Sequence, residues 1–393
     1  MEDLTRCVVT PRISAEGFDS LGVAVHRGST ITFENAEAYA NRSKRGPDGY
    51  SYGLYGTPTT RTLEQKLTQL EQGARTFLLP SGQAANVFAV LPFLSAGDKI
   101  LVVDTVYPPM RDFVNNDLQR CGVAVEFYDP SSLANLENRI DGRTKMIWCE
   151  SPGSTTMEIQ DLPTIAEIAQ RHGILVGIDN TWATPLNFKP LLKGADIVTE
   201  GLTKYIAGHS DVLMGSVTVK AERLIQPIHA ALGRYGIGVS PDDTALVLRG
   251  METLGVRMEH SAEGARYLIS KLAAHPLVEK VLFPELSNSV GHNIWARDFL
   301  GSSGVFSVCF KPNAVPHISA ALDSLKVFAI GASWGGTRSL VAPMPVRANR
   351  TASSWRGEDL VLRVSVGLES MIDLEADIQS FMTKLSESVA VEA

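Results

Sequence analysis

Leu63, Leu67 and Leu70 fall on helical spacing behind Thr57, and the run Thr76-Phe77-Leu78-Leu79 that follows has the unbroken apolar character of a buried strand. The alternation continues. Strands are predicted over Lys99–Val103, Val123–Phe127, Lys145–Cys149 and Ile174–Ile178, with helices over Met110–Cys121 and Leu162–His172. Strands that are apolar throughout are covered on both faces, and strands joined through helices run parallel. The fold class expected is therefore α/β, a mostly parallel sheet with helices on both faces. Ligands of such sheets sit at the carboxyl ends of the strands. Asp179, which closes the run ending at Ile178, and the segment around Tyr107 both fall on that edge.

Ser240-Pro241-Asp242-Asp243 has the features of a helix start: a capping hydroxyl, proline in the first turn and acids at the positive end. Leu246, Met251, Leu254 and Met258 then predict one long helix leaving the first unit. Beyond it, strands over Gly304–Val308 and Val361–Val366 among further helices predict a smaller α+β domain. Ahead of Thr57 the chain is rich in glycine, polar and aromatic residues without sustained periodicity, as in an extended arm. The expected organisation is an N-terminal arm (1–56), a large domain (57–250) and a C-terminal small domain (251–393).

Composition narrows the function classes. A net charge of −7 leaves no concentrated basic face for a nucleic acid. No apolar run approaches the roughly 18 residues of a membrane helix, and Met1-Glu2-Asp3-Leu4-Thr5-Arg6 lacks the order of a secretory signal. A cytoplasmic protein without a membrane partner is expected. Cysteines at 7, 121, 149 and 309 are too scattered for a metal or redox motif and are expected as thiols; no metal site is predicted.

Candidate chemistry gathers at Thr203-Lys204-Tyr205-Ile206-Ala207-Gly208-His209-Ser210-Asp211. A lysine condenses with an aldehyde only as the neutral amine, so partial burial or a neighbouring cation activates it. A strand-end carboxylate such as Asp179 keeps a pyridine nitrogen protonated and lets the ring accept electrons. Together they suggest pyridoxal phosphate chemistry, although a lysine after a strand is commonly a solvated residue and a strand-end aspartate commonly a helix cap. Pro80-Ser81-Gly82-Gln83-Ala84-Ala85-Asn86 follows a strand and opens a helix, whose backbone N–H groups suit a phosphate.

With these residues the chain resembles the Cys/Met-metabolism family of fold-type I pyridoxal phosphate enzymes, on the side of its bacterial cystathionine β-lyases. Four stretches carry the resemblance, which covers nearly the whole chain: Glu150-Ser151-Pro152-Gly153-Ser154, Asp179-Asn180-Thr181-Trp182, Thr203-Lys204-Tyr205 with Gly208-His209-Ser210-Asp211, and Ser333-Trp334-Gly335-Gly336. It implies pyridoxal 5'-phosphate as cofactor, with Lys204 bonded to it and acting as catalytic base. It further implies Asp179 on the ring nitrogen, Gly82, Gln83 and Thr203 on the phosphate, and Tyr107 stacked on the ring as a second catalytic residue. Arg363 is then the residue for the substrate α-carboxylate, a planar anion that a guanidinium fork grips at two points. Ser333 and Trp334 shape the substrate side.

The resemblance also implies a homotetramer whose active sites are shared between subunits, with Tyr52 reaching a neighbour's cofactor. The implied reaction is β-elimination of cystathionine or a related cysteine S-conjugate to a thiol, pyruvate and ammonia. γ-Elimination or γ-synthesis and amino-acid racemisation are alternatives on the same scaffold, and a non-catalytic cofactor-binding protein is a distant one.

The arm departs from the family pattern. Where the family reads Tyr-x-Arg, this chain reads Tyr52-Gly53-Leu54-Tyr55, with leucine in place of the arginine and Tyr55 in place of a second one. A lost charge-assisted hydrogen bond is worth about 1.5–3 kcal/mol, or about ten- to a hundredfold in phosphate affinity. The same arginines are candidates for gripping the distal end of cystathionine. Their absence implies an uncharged distal group, as in an S-alkyl or S-aryl cysteine or cysteine itself. Arg111 is expected as a surface helix residue that does not compensate. Gly201, where relatives usually have a small hydroxyl residue, and Ala332, where cystathionine lyases can carry tyrosine, point to a remodelled pocket.

Overall fold

The computed structural model describes residues 16–18, 20–353, 355 and 357–392. Cys7 and the opening hexapeptide lie outside the described residues.

The large sheet contains β1 (Arg75–Leu79), β2 (Lys99–Val103), β3 (Ala124–Tyr128), β4 (Thr144–Glu150), β5 (Leu175–Asp179), β6 (Ile197–Glu200) and β7 (Gly215–Val219). Their order is β1-β7-β6-β5-β4-β2-β3. The pairs from β6 through β3 are parallel, while β7 runs antiparallel to both β1 and β6. The five residues of β2 are all buried, as an apolar run enclosed on both faces requires. Gly177 in β5 lies under the Trp148 indole, where a Cβ would come within 2.8 Å of the ring. Glycine there lets the largest core side chain lie flat across a neighbouring strand.

Strands β6 and β7 escape the periodicity because threonine, serine and glutamate interrupt their apolar runs. The fold buries the threonines by bonding them: the Thr76 and Thr218 hydroxyls meet across the β1–β7 pair at 2.8 Å, and Thr199 donates to Asn86 at 2.6 Å. A smaller sheet follows, made of β8 (Val278–Leu282), β9 (Val305–Phe310), β10 (Ala329–Ile330), β11 (Leu340–Pro345) and β12 (Leu360–Ser365). Its order is β10-β11-β12-β9-β8, antiparallel except for β10–β11. Phe310 of this sheet meets Phe381 of the C-terminal helix edge-on at 6.0 Å.

Two predicted helices differ from the structure. The one placed over Met110–Cys121 is an α-helix only over Pro108–Phe113 and widens to a π turn over Val114–Leu118. The long helix expected from Pro241 through Met258 is two, Pro241–Met251 and Leu254–Leu272. The break has a tertiary cause. Arg257 turns its buried guanidinium back onto the carbonyls of Gly250 and Tyr205, both at 2.7 Å. Gly250 in turn lies so close to Ala207 that a Cβ would come within 2.1 Å of its carbonyl oxygen.

The arm crosses the large sheet's flank without joining it. Gly53 donates to Ser29 at 2.8 Å, and Arg27 pairs with Asp242 at the start of the Pro241–Met251 helix. Phe18, Leu21, Tyr39 and Tyr52 remain exposed on it. Among the described residues no helix is long and apolar enough to cross a membrane.

Candidate active site

A cleft of about 440 Å³ opens between the carboxyl edge of the large sheet and the smaller sheet, within the roughly 300–1,000 Å³ of small-molecule sites. Lys204 reaches it from the turn after β6. Thr203 anchors that turn, its amide donating to the Met214 carbonyl at 3.1 Å and its hydroxyl accepting from the Met214 amide at 3.0 Å. Leu202, Tyr205 and Ile206 are sunk in the core, which leaves the Lys204 side chain to project into the cleft. Its Nζ donates to Ser333 Oγ at 2.6 Å and lies 5.4 Å from the centre of the Trp334 ring. Burial pushes the Lys204 amine down to about 8, with the Arg363 charge adding to the shift and Asp179 opposing it.

Two glycines bring the Ser333-Trp334 loop this close. At Gly335, whose φ is +81°, a Cβ would come within 3.0 Å of the Tyr205 nitrogen, and at Gly336 within 2.2 Å of Ser210 Oγ. Larger residues would hold the loop off the lysine turn.

Asp179 stands at the end of β5 with both oxygens engaged. Oδ1 accepts from the Thr181 amide at 3.0 Å and its hydroxyl at 2.5 Å; Oδ2 accepts from Asn86 at 3.0 Å, and Asn86 is itself held by Thr199 at 2.6 Å. The helix Gly82–Val90 begins beside it, with Ser81 Oγ accepting from the Ala84 amide at 3.1 Å. Gly82 and Gln83 are its first two residues, whose amides have no carbonyl to bond within the helix. Glycine at 82 also lets this end approach Gly201, whose Cα would lie 3.0 Å from a Cβ. Gln83 donates to the Pro109 carbonyl at 3.0 Å while its buried Oε1 has no partner.

On the other side, the Tyr107 amide donates to Glu150 Oε2 at 2.6 Å. Burial raises the Tyr107 phenol, with the charges of Asp179 and Glu150 adding and Arg363 opposing. Glu150 itself is pushed well above the carboxylate range by burial and by Asp179. Arg363, on β12, donates to the carbonyls of Ala332 at 2.6 Å and Ser333 at 3.2 Å, and no carboxylate among the described residues pairs with it. A half-buried guanidinium bonded only to neutral carbonyls is poised for an anion.

Of the residues singled out in the sequence, Gly82, Gln83, Tyr107, Asp179, Thr203, Lys204, Trp334 and Arg363 line this one cleft, and Ser333 meets it through Lys204. Tyr52 does not. It is 51% exposed and faces a shallow depression with Arg27 and Asp242. Leu54 and Tyr55 turn toward Gly238 and His229 of the same chain. Arg111 is not a surface residue as expected: it is buried, bonded to Asp104 at 2.7 Å and stacked 3.8 Å over the Phe127 ring. It does not line the cleft. Asn86, Thr181 and Glu150 escaped notice as site residues although each stands in a stretch already singled out. Only the contacts to Asp179 and Tyr107 set them apart from their neighbours.

The sequence profile of the Cys/Met metabolism PLP-dependent enzymes matches residues 5–383. The chain belongs to that family. The cystathionine beta-lyase of Salmonella typhimurium is 35% identical over 388 residues, 97% of this chain and 98% of the relative. An L-alanine/L-glutamate racemase of Wolbachia pipientis is also 35% identical, over 378 residues and 93% of each chain. Among solved structures, the cystathionine gamma synthase of Xanthomonas oryzae in complex with cystathionine superposes with a TM-score of 0.87 at 29% identity, covering 94% of this chain and 95% of that one. The family's fold, type I, is that of the mixed sheet and its two layers of helices, and its cofactor is pyridoxal phosphate.

The residues present fit that cofactor. The cleft offers two unpaired helix-start amides at one end, a donor-braced carboxylate within it, and an amine already displaced toward neutrality.

Proposed function

We propose that this carbon–sulfur lyase performs β-elimination on a cysteine thioether whose distal group carries no charge, releasing a thiol and, by hydrolysis of the remaining three-carbon fragment with one water, pyruvate and ammonia. The observation that carries the reading is the supply of charge in the cleft. Its charged lining is Glu150, Asp179, Lys204 and Arg363. Once Arg363 holds the α-carboxylate and Lys204 serves the reacting carbon, no cation among the described residues of the lining remains for a second carboxylate. Met157, Leu213, Val305, Trp334 and Met344 line the same cleft, and an unpaired charge set against them is penalised.

In this reading the amides of Gly82 and Gln83 with Thr203 would hold the phosphate, Asp179 would hold the ring nitrogen, and Tyr107 would pack on the ring. Bound there, the cofactor supplies an electron sink for the pair left when the Cα–H bond breaks. The neutral Lys204 amine takes the α-proton, and Ser333 holds that nitrogen in place. Asn86 and Thr181 keep Asp179 fixed so that its charge faces the ring nitrogen throughout.

Racemisation is the second reading, favoured by the racemase relative and by the fact that two proton-bearing side chains, Lys204 and Tyr107, line one cleft. Product analysis separates the possibilities. Pyruvate with a free thiol from S-methyl-L-cysteine supports β-elimination, 2-oxobutanoate from cystathionine supports γ-chemistry, and D-alanine from L-alanine supports racemisation. A strong preference for cystathionine over S-alkyl cysteines would overturn the uncharged distal group.

We further propose a cytoplasmic homotetramer in which Tyr52 enters a neighbour's cleft; the exposed apolar side chains of the arm support its packing against another subunit. Within this assembly residues 1–56 act as the arm, 57–250 as the cofactor-binding domain and 251–393 as the small domain.

A further inference from the structure

Between β11 and β12 the chain leaves the smaller sheet and crosses to the end of β2, where a single buried carboxylate receives it. Asp104 is fully enclosed. Its Oδ2 accepts from the amides of Thr351 and Ala352 at 3.0 Å, and from the Ser353 amide and hydroxyl at 2.7 Å. Its Oδ1 accepts from the Thr351 amide and hydroxyl at 3.0 Å and from Arg111 at 2.7 Å. Three consecutive residues of one loop are thus gathered on one side chain of another element.

Next to them Arg350 donates to Thr156 Oγ1 at 2.7 Å, to the Ser154 carbonyl at 3.4 Å and to the Asp104 carbonyl at 3.2 Å. Ser154 and Thr155 line the cleft, as do Met344 on β11 and Arg363 on β12. Ala342 and Arg363 face each other across the β11–β12 pair. Tyr107 follows Asp104 closely along the chain. The loop therefore ties the strands that carry Arg363 and Met344 to the segment that carries Tyr107, and braces a third wall through Arg350.

We propose that Asp104 is a positioning residue: by clamping residues 351–353 it sets the distance between Arg363 and the large-domain side of the cleft, and so governs how tightly an amino acid is held. The Lys204 turn has separate supports in Thr203, Met214 and Gly201. Loss of the clamp therefore falls on amino-acid binding and leaves the cofactor's anchor in place. Burial alone would raise the Asp104 carboxyl, but the bonds from Ser353, Thr351 and Arg111 outweigh it and hold it down at about 2. The clamp is thus charged at working pH. The proposal rests on the cleft being the amino-acid site of the family's chemistry, whichever bond is broken there.

The test uses cofactor-loaded protein carrying Asp104→Asn, which keeps the shape but loses the charge and turns an N–H2 toward the loop donors, and separately Ser353→Ala. L-Alanine, which has no leaving group, is titrated against the visible cofactor band, and KM and kcat are measured with S-methyl-L-cysteine. Asp104→Asn is expected to raise the L-alanine Kd and the thioether KM by about tenfold, the weight of one charge-assisted bond. kcat and the cofactor band stay unchanged, and Ser353→Ala gives a smaller rise in the same direction. Unchanged Kd and KM in the folded variant, or a parallel loss of Kd, kcat and cofactor band in both variants, would overturn the proposal. Should Asp104→Asn not fold, Ser353→Ala decides alone: no rise in its Kd sinks the clamp. A wild-type protein that binds L-alanine yet releases no thiol overturns β-elimination and leaves this test standing.

Discussion

In the proposed reading Lys204 owes its reactivity to where its nitrogen sits. Its folded value, about 8, lies below the ordinary lysine value, so the amine is disfavoured as a cation and becomes neutral at lower pH than in the unfolded chain. Cofactor uptake needs the neutral form. The uptake rate of apoprotein should therefore climb about tenfold per pH unit up to about 8 and level off above it, as followed by growth of the visible band; Lys204→Ala should form no such band. A rate independent of pH between 6 and 8 would contradict the assignment. Arg363→Ala should raise the thioether KM by about ten- to a hundredfold, and Lys at that position should restore little, because a point charge cannot replace the fork. Leu54→Arg tests the distal group from the opposite direction: it should improve turnover of cystathionine relative to S-methyl-L-cysteine.

The residues that line the cleft were legible in the sequence because each sits in a short local stretch with its own turn geometry. Their support was not. Asn86 holds Asp179 across 93 positions of chain, and Arg111, which the pattern places on a helix surface, is enclosed by Asp104 and Phe127. Partners so distant in sequence leave no periodic trace.

At the scale of elements, strands β2 and β4 and the helix Leu162–His172 could be located from pattern alone, since one run of side chains both forms and buries each. The break after Met251 could not, because it is imposed from outside the helix by Gly250 against Ala207 and by Arg257 against three carbonyls. Two measurements check that cause. Gly250→Ala forces a methyl against a backbone oxygen and should destabilise the protein by about 1–3 kcal/mol, visible as a lowered Tm. Arg257→Met should cost at least as much, since each buried carbonyl left unbonded costs about 1–3 kcal/mol. A variant with Tm unchanged at either position would show that the break belongs to the local sequence instead. The clamp loop has a pH signature as well. Asp104 has a folded value, about 2, below that of an unfolded aspartate, about 3.9. Its contribution to stability is therefore whole above about pH 4 and lost as pH falls toward 2. The stability gap between wild type and Asp104→Asn should close over that window.

For the whole molecule, the parallel core and its binding edge follow from the run of apolar strands, but the antiparallel insertion of β7 between β1 and β6 does not. β1 and β7 pair across most of the large domain's length, and the polar side chains of β6 and β7 interrupt the apolar runs that would signal a strand. The arm poses the same problem between chains. Within one chain Tyr52 lies outside the cleft and half in solvent, and Leu54 and Tyr55 pack against Gly238 and His229 of the same chain. If the arm completes a neighbour's site, two differently damaged proteins should repair each other. Tyr52→Ala keeps Lys204 but lacks the arm's phenol; Lys204→Ala supplies that phenol but cannot bond the cofactor. Mixed after mild dissociation and reassociation, they form hybrid assemblies in which one site joins an intact Tyr52 to an intact Lys204. Thiol release from the mixture should exceed that of either parent, and the hybrid should elute with the mass of the wild-type assembly. Activity equal to the average of the two parents would place Tyr52 outside the shared site, and elution as a monomer would rule out the assembly itself.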